Sequence, residues 1–185
     1  MKYISFNCKH GKHFYSICPL TGNLLQSEVE DSSIYVIPEK VKNALKICDN
    51  PYLCDYSSYS IQSTNFKLLK KITYYHKIIM FIGNKRFFFT RFFSNFRKPM
   101  FQNTKEAFMY LAKIPEQELF HELLCLQRSF LALKTSKTFK TNGVLFIGAS
   151  LPTGNMHAWI IEDNYQPDIL DREWIMYKPL LAFYY

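Results

Sequence analysis

The sequence is poor in several things that would name a function outright. No acidic residue stands between Asp55 and Glu106. The six glycines, Gly11, Gly22, Gly83, Gly143, Gly148 and Gly154, are all isolated, so there is no glycine-rich phosphate loop and no visible seat for a nucleotide. The longest run of bulky apolar residues in the basic half, Ile78 to Ile82, is far too short to cross a membrane. The opening residues, MKYISFNCKHGKH, lack the apolar centre and small-residue cleavage site of a signal peptide. Together these features predict a cytoplasmic chain with reduced cysteines. The cysteines are few, at positions 8, 18, 48, 54 and 125, and their odd number leaves at least one outside any internal disulfide.

What is present is apolar and basic. With 48% hydrophobic and 17% aromatic residues in 185, the chain can bury a core for one domain or two small ones. The net charge of +8 is uneven. The acid-free stretch carries Lys67, Lys70, Lys71, Lys77, Lys85, Arg86, Arg91, Arg97, Lys98 and Lys105, whereas the balance turns acidic after Gly143. Such a stretch suits an anionic partner or a solvated helix face. Within KRFFFTRFFSNFRK (85–98), Phe88, Phe89, Phe92, Phe93 and Phe96 fall on one helix face, with Arg86, Arg97 and Lys98 elsewhere. That pattern reads as a packing surface for the core or a partner enzyme. Peripheral contact with an anionic membrane is a secondary use, and nucleic acid is not expected as a partner.

The periodicities predict a mixed α+β chain. Tyr3, Ile4 and Phe6, then HFYSIC (13–18) and SSIYVI (32–37), read as short strands, with PLTGN (19–23) as a turn. Pro38 precedes EKVKNALKIC, where Val41, Ala44, Leu45 and Cys48 share a helix face. YSSYSIQSTN (56–65) reads as a linker. Leu68, Ile72, Tyr75, Ile79 and Ile82 form a helical stripe, and residues 86–99 a second helix closed by Pro99. Asn103 or Thr104 is placed to cap KEAFMYLAK. Helical sequence then runs from Glu116 through Cys125. GVLFIGAS (143–150), HAWIIED (157–163) and PDILD (167–171) read as strands, with Asn142–Gly143 as a turn.

Two constellations bear on chemistry. Cys8, His10, His13 and Cys18 are four zinc-capable side chains within eleven residues, but their spacing matches no usual finger, and cysteines in strands are commonly small core residues. No metal is assigned to them. The second is Cys125 on a helix, followed by His157 on a strand. A thiol needs an imidazole beside it to ionise at neutral pH, and the imidazole needs a carboxylate to fix its orientation. If strands 157–163 and 167–171 form a hairpin, an aspartate lies beside His157. Asp168 and Asp171 differ by three residues, so a regular strand points them to opposite faces. Spacing alone does not choose between them.

CLQRSFLAL (125–133), GVLFIGAS (143–150) and HAWIIED (157–163), in this order and spacing, resemble the transglutaminase-like cysteine peptidase of lasso-peptide biosynthesis, the B protein. Cys125, Ser129, Leu133, Ile147–Gly148 and His157–Ala158–Trp159 carry the likeness, which covers residues 120–171. The family pattern places an apolar and a polar residue before its aspartate, and Ile169–Leu170–Asp171 matches that better than Gln166–Pro167–Asp168. The resemblance therefore implies a triad of Cys125, His157 and Asp171, with Asp168 as the alternate and expected to be dispensable. It implies a winged-helix-like leader-recognition domain over residues 1–63 and a papain- or transglutaminase-like peptidase domain over residues 64–185. The partners implied are a lasso-peptide precursor, bound through its leader, and a separate ATP-dependent, asparagine-synthetase-like macrolactam synthetase. No cofactor is implied on this chain, and any ATP is used by that partner. The alternative is a non-catalytic leader-binding or membrane-associated adaptor with a degenerate peptidase fold. Its motive is that EQELFHELL runs into Cys125 without a cap, where a helix N-terminus would favour the thiolate.

Overall fold

GVLFIGAS is apolar at both parities, a pattern that a strand tolerates only when both of its faces are covered. The computed structural model, which describes residues 2–18, 22–29, 36–49, 99, 101–112, 125–168 and 171–185, places this segment as β5 (Gly143–Ser150) in the interior of a four-stranded antiparallel sheet. The other members are β1 (Lys2–Ser5), β6 (Asn155–Glu162) and β7 (Lys178–Tyr184), in the order β1-β7-β5-β6. A separate three-stranded antiparallel sheet is formed by β2 (Cys8–His10), β3 (His13–Ile17) and β4 (Leu24–Ser27), with β3 in the middle.

Helices cover the large sheet on both faces. Helix α1 (Glu39–Asp49) lays Val41, Ala44 and Ile47 against Val144, Phe146, Trp159, Ile161, Trp174 and Ala182. The other face packs on α2 (Thr104–Ala112), α3 (Cys125–Thr135) and the short α4 (Phe139–Asn142). There Phe108, Leu131, Ala132 and Phe139 meet Leu145, Ile147, Ala149, Ala158 and Ile160, together with Ile17 from β3. Asn103 caps α2, its Oδ1 accepting the Glu106 N–H at 2.8 Å. Glu162, fully buried at the end of β6, accepts the Thr104 N–H at 2.7 Å and the Thr138 hydroxyl at 2.9 Å. This carboxylate binds the starts of α2 and α4 to the sheet, and it is matched by donors as a buried charge requires.

The expected helices over 39–48 and from Thr104, and the strands 143–150 and 157–163, are present, while Asn142–Gly143 is the junction of α4 and β5 rather than a free turn. Among the described residues the chain is α+β with two antiparallel sheets and four α-helices. The segment PDILD departs from expectation: Pro167, Asp168 and Asp171 are not in a strand. A two-residue turn at Asp163–Asn164, with φ of 51° and 64°, returns the chain to a single bridge between Glu162 and Tyr165, and pairing stops there. Pro167 has no N–H to continue a ladder, and the Asp168 carbonyl accepts the Asp171 N–H at 3.0 Å. The strand next to β5 is instead β7, from the C-terminal PLLAFYY.

Described residues of both 1–63 and 64–185 contribute to the large sheet and to its core. β1 pairs with β7 from Lys2↔Tyr184 to Ser5↔Leu181, and α1 covers the face that β5, β6 and β7 present. The dividing point at residue 63 lies outside the described residues. So do most of the 32–37 strand, the linker, the stripe over 66–82, the basic-aromatic segment 85–98 and the approach to Cys125. Among the described residues no helix is long and apolar enough to cross a membrane.

Candidate active site

β6 is the outer strand of its sheet, so alternate backbone groups along it face away from β5. At Ala158 these groups are met by α3. The Ser129 hydroxyl donates to the Ala158 carbonyl at 3.3 Å, and the Ala158 N–H is directed at the Cys125 sulfur. Cys125 and Ser129 are four residues apart and therefore on one face of the helix. The helix that carries the thiol is thus docked along the strand edge, one residue from His157.

His157 Nε2 lies 2.8 Å from Asp171 Oδ2, with the two side chains only 11% and 3% exposed. With Nε2 engaged, Nδ1 is the ring nitrogen left for the Cys125 thiol, which is hydrogen-bonded to the imidazole. Asp171 is itself held from several sides. Its Oδ1 accepts the N–H groups of Glu173 and Trp174, at 3.2 and 3.3 Å, where the chain enters the 3-10 turn Trp174–Met176. Its Oδ2 also accepts from Gln166 Nε2 at 3.4 Å. The imidazole plane is fixed by stacking: the Tyr177 ring lies 4.7 Å away at 25°, and Trp159 lies 6.2 Å away at 17°.

The charges follow from this geometry. Burial pushes the Cys125 thiol up, but the His157 hydrogen bond and positive charge, with the N–H groups of Ala158 and Leu126, more than offset it, and the net shift is downward. Burial pushes His157 down, yet its bonds to Asp171 and Cys125 and their negative charges raise it to about 9. The two groups therefore stabilise each other's charged forms, thiolate on Cys125 and imidazolium on His157. Tyr177 is raised by burial and by Glu173, Cys125 and Asp171, so its phenol stays neutral beside the thiolate.

Gly148 makes this packing possible. It pairs with His157 on one side and sits at a register shift against β7 on the other. A Cβ there would stand 2.2 Å from the Lys178 carbonyl oxygen and 2.7 Å from the Trp159 ring. Only glycine lets β7 begin so close to β5, and the start of β7 is what brings Tyr177 over the imidazole.

Cys125, His157 and Asp171 are thus brought together from a helix, a strand and a loop. Asp168, the alternate, does not face His157: it is 4% exposed and paired with Arg128, Nε to Oδ2 2.7 Å. Asp168 is therefore part of a buried ion pair rather than a solvated surface charge. Sequence reasoning missed Arg128, Gln166 and Tyr177. Only Arg128 had a local signal, its i+3 spacing from Cys125; the other two reach the site through the irregular loop and through β7. Cys8, His10 and His13 sit on the β2–β3 hairpin, and among the described residues no group of three or more His, Cys, Asp or Glu side chains is placed to hold a metal. In comparisons with family models, curated proteins and solved structures, nothing matches this chain.

Proposed function

We propose that this chain is a cysteine peptidase of papain- or transglutaminase-like architecture that removes the leader from a lasso-peptide precursor. The observation that carries the reading is the His157 Nε2–Asp171 Oδ2 contact of 2.8 Å with the Cys125 thiol beside the same imidazole. In this reading the Cys125 thiolate attacks the carbonyl carbon at the leader–core junction, and the developing oxyanion takes the Cys125 N–H. His157, charged before attack, gives its proton to the leaving amine as the C–N bond breaks. The neutral imidazole then takes a proton from water, whose oxygen attacks the thioester and releases the leader acid and the thiol. Asp171 holds the ring throughout.

The freed core amine would pass to a separate ATP-dependent synthetase, because ring closure requires an activated carboxylate. The leader would be held by the N-terminal part of the chain. Within it, the sheet β2-β3-β4 has β4 as an outer strand with Leu25 exposed, which suits addition of an extended peptide. The test is incubation of purified chain with a precursor peptide, read by mass spectrometry, beside Cys125→Ala. Cleavage that needs Cys125 supports the assignment, and cleavage retained in the alanine variant overturns it.

A further inference from the structure

The loop that delivers Asp171 is tied to the helix that carries Cys125 by more than His157. Arg128 follows Cys125 by three residues and so leaves α3 near the same face. Its Nε meets Asp168 Oδ2 at 2.7 Å, with side chains 13% and 5% exposed. Asp168 in turn accepts the Asp171 N–H through its carbonyl, at 3.0 Å. The contacts close a ring: Cys125, along the helix to Arg128, across to Asp168, on to Asp171, then through His157 back to the thiol.

The loop needs such a tie. His157 is held by a regular ladder on β6, but Asp171 comes from a segment whose pairing with β6 ends at Tyr165. We propose that Arg128 and Asp168 are positioning residues whose ion pair sets the spacing between the nucleophile's helix and the acid's loop, and so keeps His157 engaged with Cys125 and Asp171 at once. A buried Arg–carboxylate ion pair this short holds its two elements at a set spacing, through charge rather than a hydrogen bond at Nε. The catalytic meaning of this role rests on the peptidase reading above. The state of the thiol, however, can be read without any substrate.

The groups facing His157 are Cys125 from α3, Asp171 from the loop and Tyr177 from the segment before β7, with Glu173 acting on Tyr177. If the ring opens, Asp171 shifts from the imidazole and the thiol loses its partner. The experiment is alkylation of the full chain by iodoacetamide over a pH series, with the Cys125 peptide quantified by mass spectrometry and thermal unfolding measured beside it. Asp168→Asn is expected to move the Cys125 midpoint upward, and each unit of movement lowers the low-pH alkylation rate about tenfold. Arg128→Lys, which keeps the charge but loses the Nε contact, should move it in the same direction by less. The reversed pair Arg128→Asp with Asp168→Arg should recover part of the shift.

A lowered melting temperature with an unmoved alkylation profile, in either folded single variant, would show the pair to be structural only and overturn the proposal. Should Asp168→Asn fail to fold, the Arg128→Lys profile decides. An ordinary thiol profile in the unsubstituted chain would instead sink the peptidase reading, before any variant is made.

Discussion

At the scale of single residues, the proposed peptidase reaction would turn on a proton shared among Cys125, His157 and Asp171. Its competent form would be thiolate with imidazolium. As pH rises through the lowered Cys125 pKa the thiolate forms, so the rate climbs; as pH passes about 9, His157 loses the proton that the leaving amine requires, and the rate falls. A bell-shaped profile of kcat/KM for the precursor checks this. Asp171→Asn keeps the shape of the acid but not its charge, so the falling limb should move from about 9 toward the ordinary histidine range. Asp171→Ala should cut turnover by orders of magnitude through an unoriented ring, and the two variants assayed together separate charge from orientation. Gln166 is 1% exposed and touches the same carboxylate oxygen as His157. Its loss should weaken the rate less than loss of Asp171, because Glu173 and Trp174 still hold Oδ1.

At the scale of elements, the site depends on how one strand edge is covered and how closely two strands approach. Ser129→Ala removes the hydroxyl bonded to the Ala158 carbonyl and should cost about 1–2 kcal/mol, measured by denaturant unfolding. Gly148→Ala should cost roughly 3 kcal/mol or more, because its Cβ meets backbone rather than a movable side chain. Elements with strong local patterns were legible: the α1 stripe of Val41 and Ala44, the Asn103 cap, and the apolar run of β5. The proximity of His157 to Asp171 was expected too, but through a longer hairpin than the single Glu162–Tyr165 bridge. Asp171 meets His157 from outside any strand, its N–H bonded to the Asp168 carbonyl, and parity along a strand had no part in it. The Arg128–Asp168 pair joins residues forty positions apart, and no local pattern announces such a contact.

At the scale of the molecule, the first and last strands are neighbours. PLLAFYY offered no alternation, because β7 is buried on both faces between β1 and β5 and has no polar side to show. Nor does short-range patterning reveal that KYIS pairs with it. A chain reduced to residues 64–185 would lose β1 and α1, exposing Val144, Phe146, Trp159 and Ile161 on one sheet face. It should therefore show no cooperative thermal transition and should bind a hydrophobic dye, as a partly packed state does. Retained cooperative unfolding would mean that residues 64–185 fold independently of the N-terminal residues.

The position of β7 also sets an order of assembly. During synthesis β5 and β6 emerge together and can pair as a hairpin, and Cys125, His157 and Asp171 are all in the chain before β7 is made. The gap between β5 and β1 stays empty until Lys178–Tyr184 has been made, and only the arrival of that strand seats Tyr177 over the imidazole. A nascent chain stopped at Tyr177 should carry every reacting group and yet alkylate at Cys125 like an ordinary thiol. Cys125 would thus stay an ordinary thiol until β7 is in place.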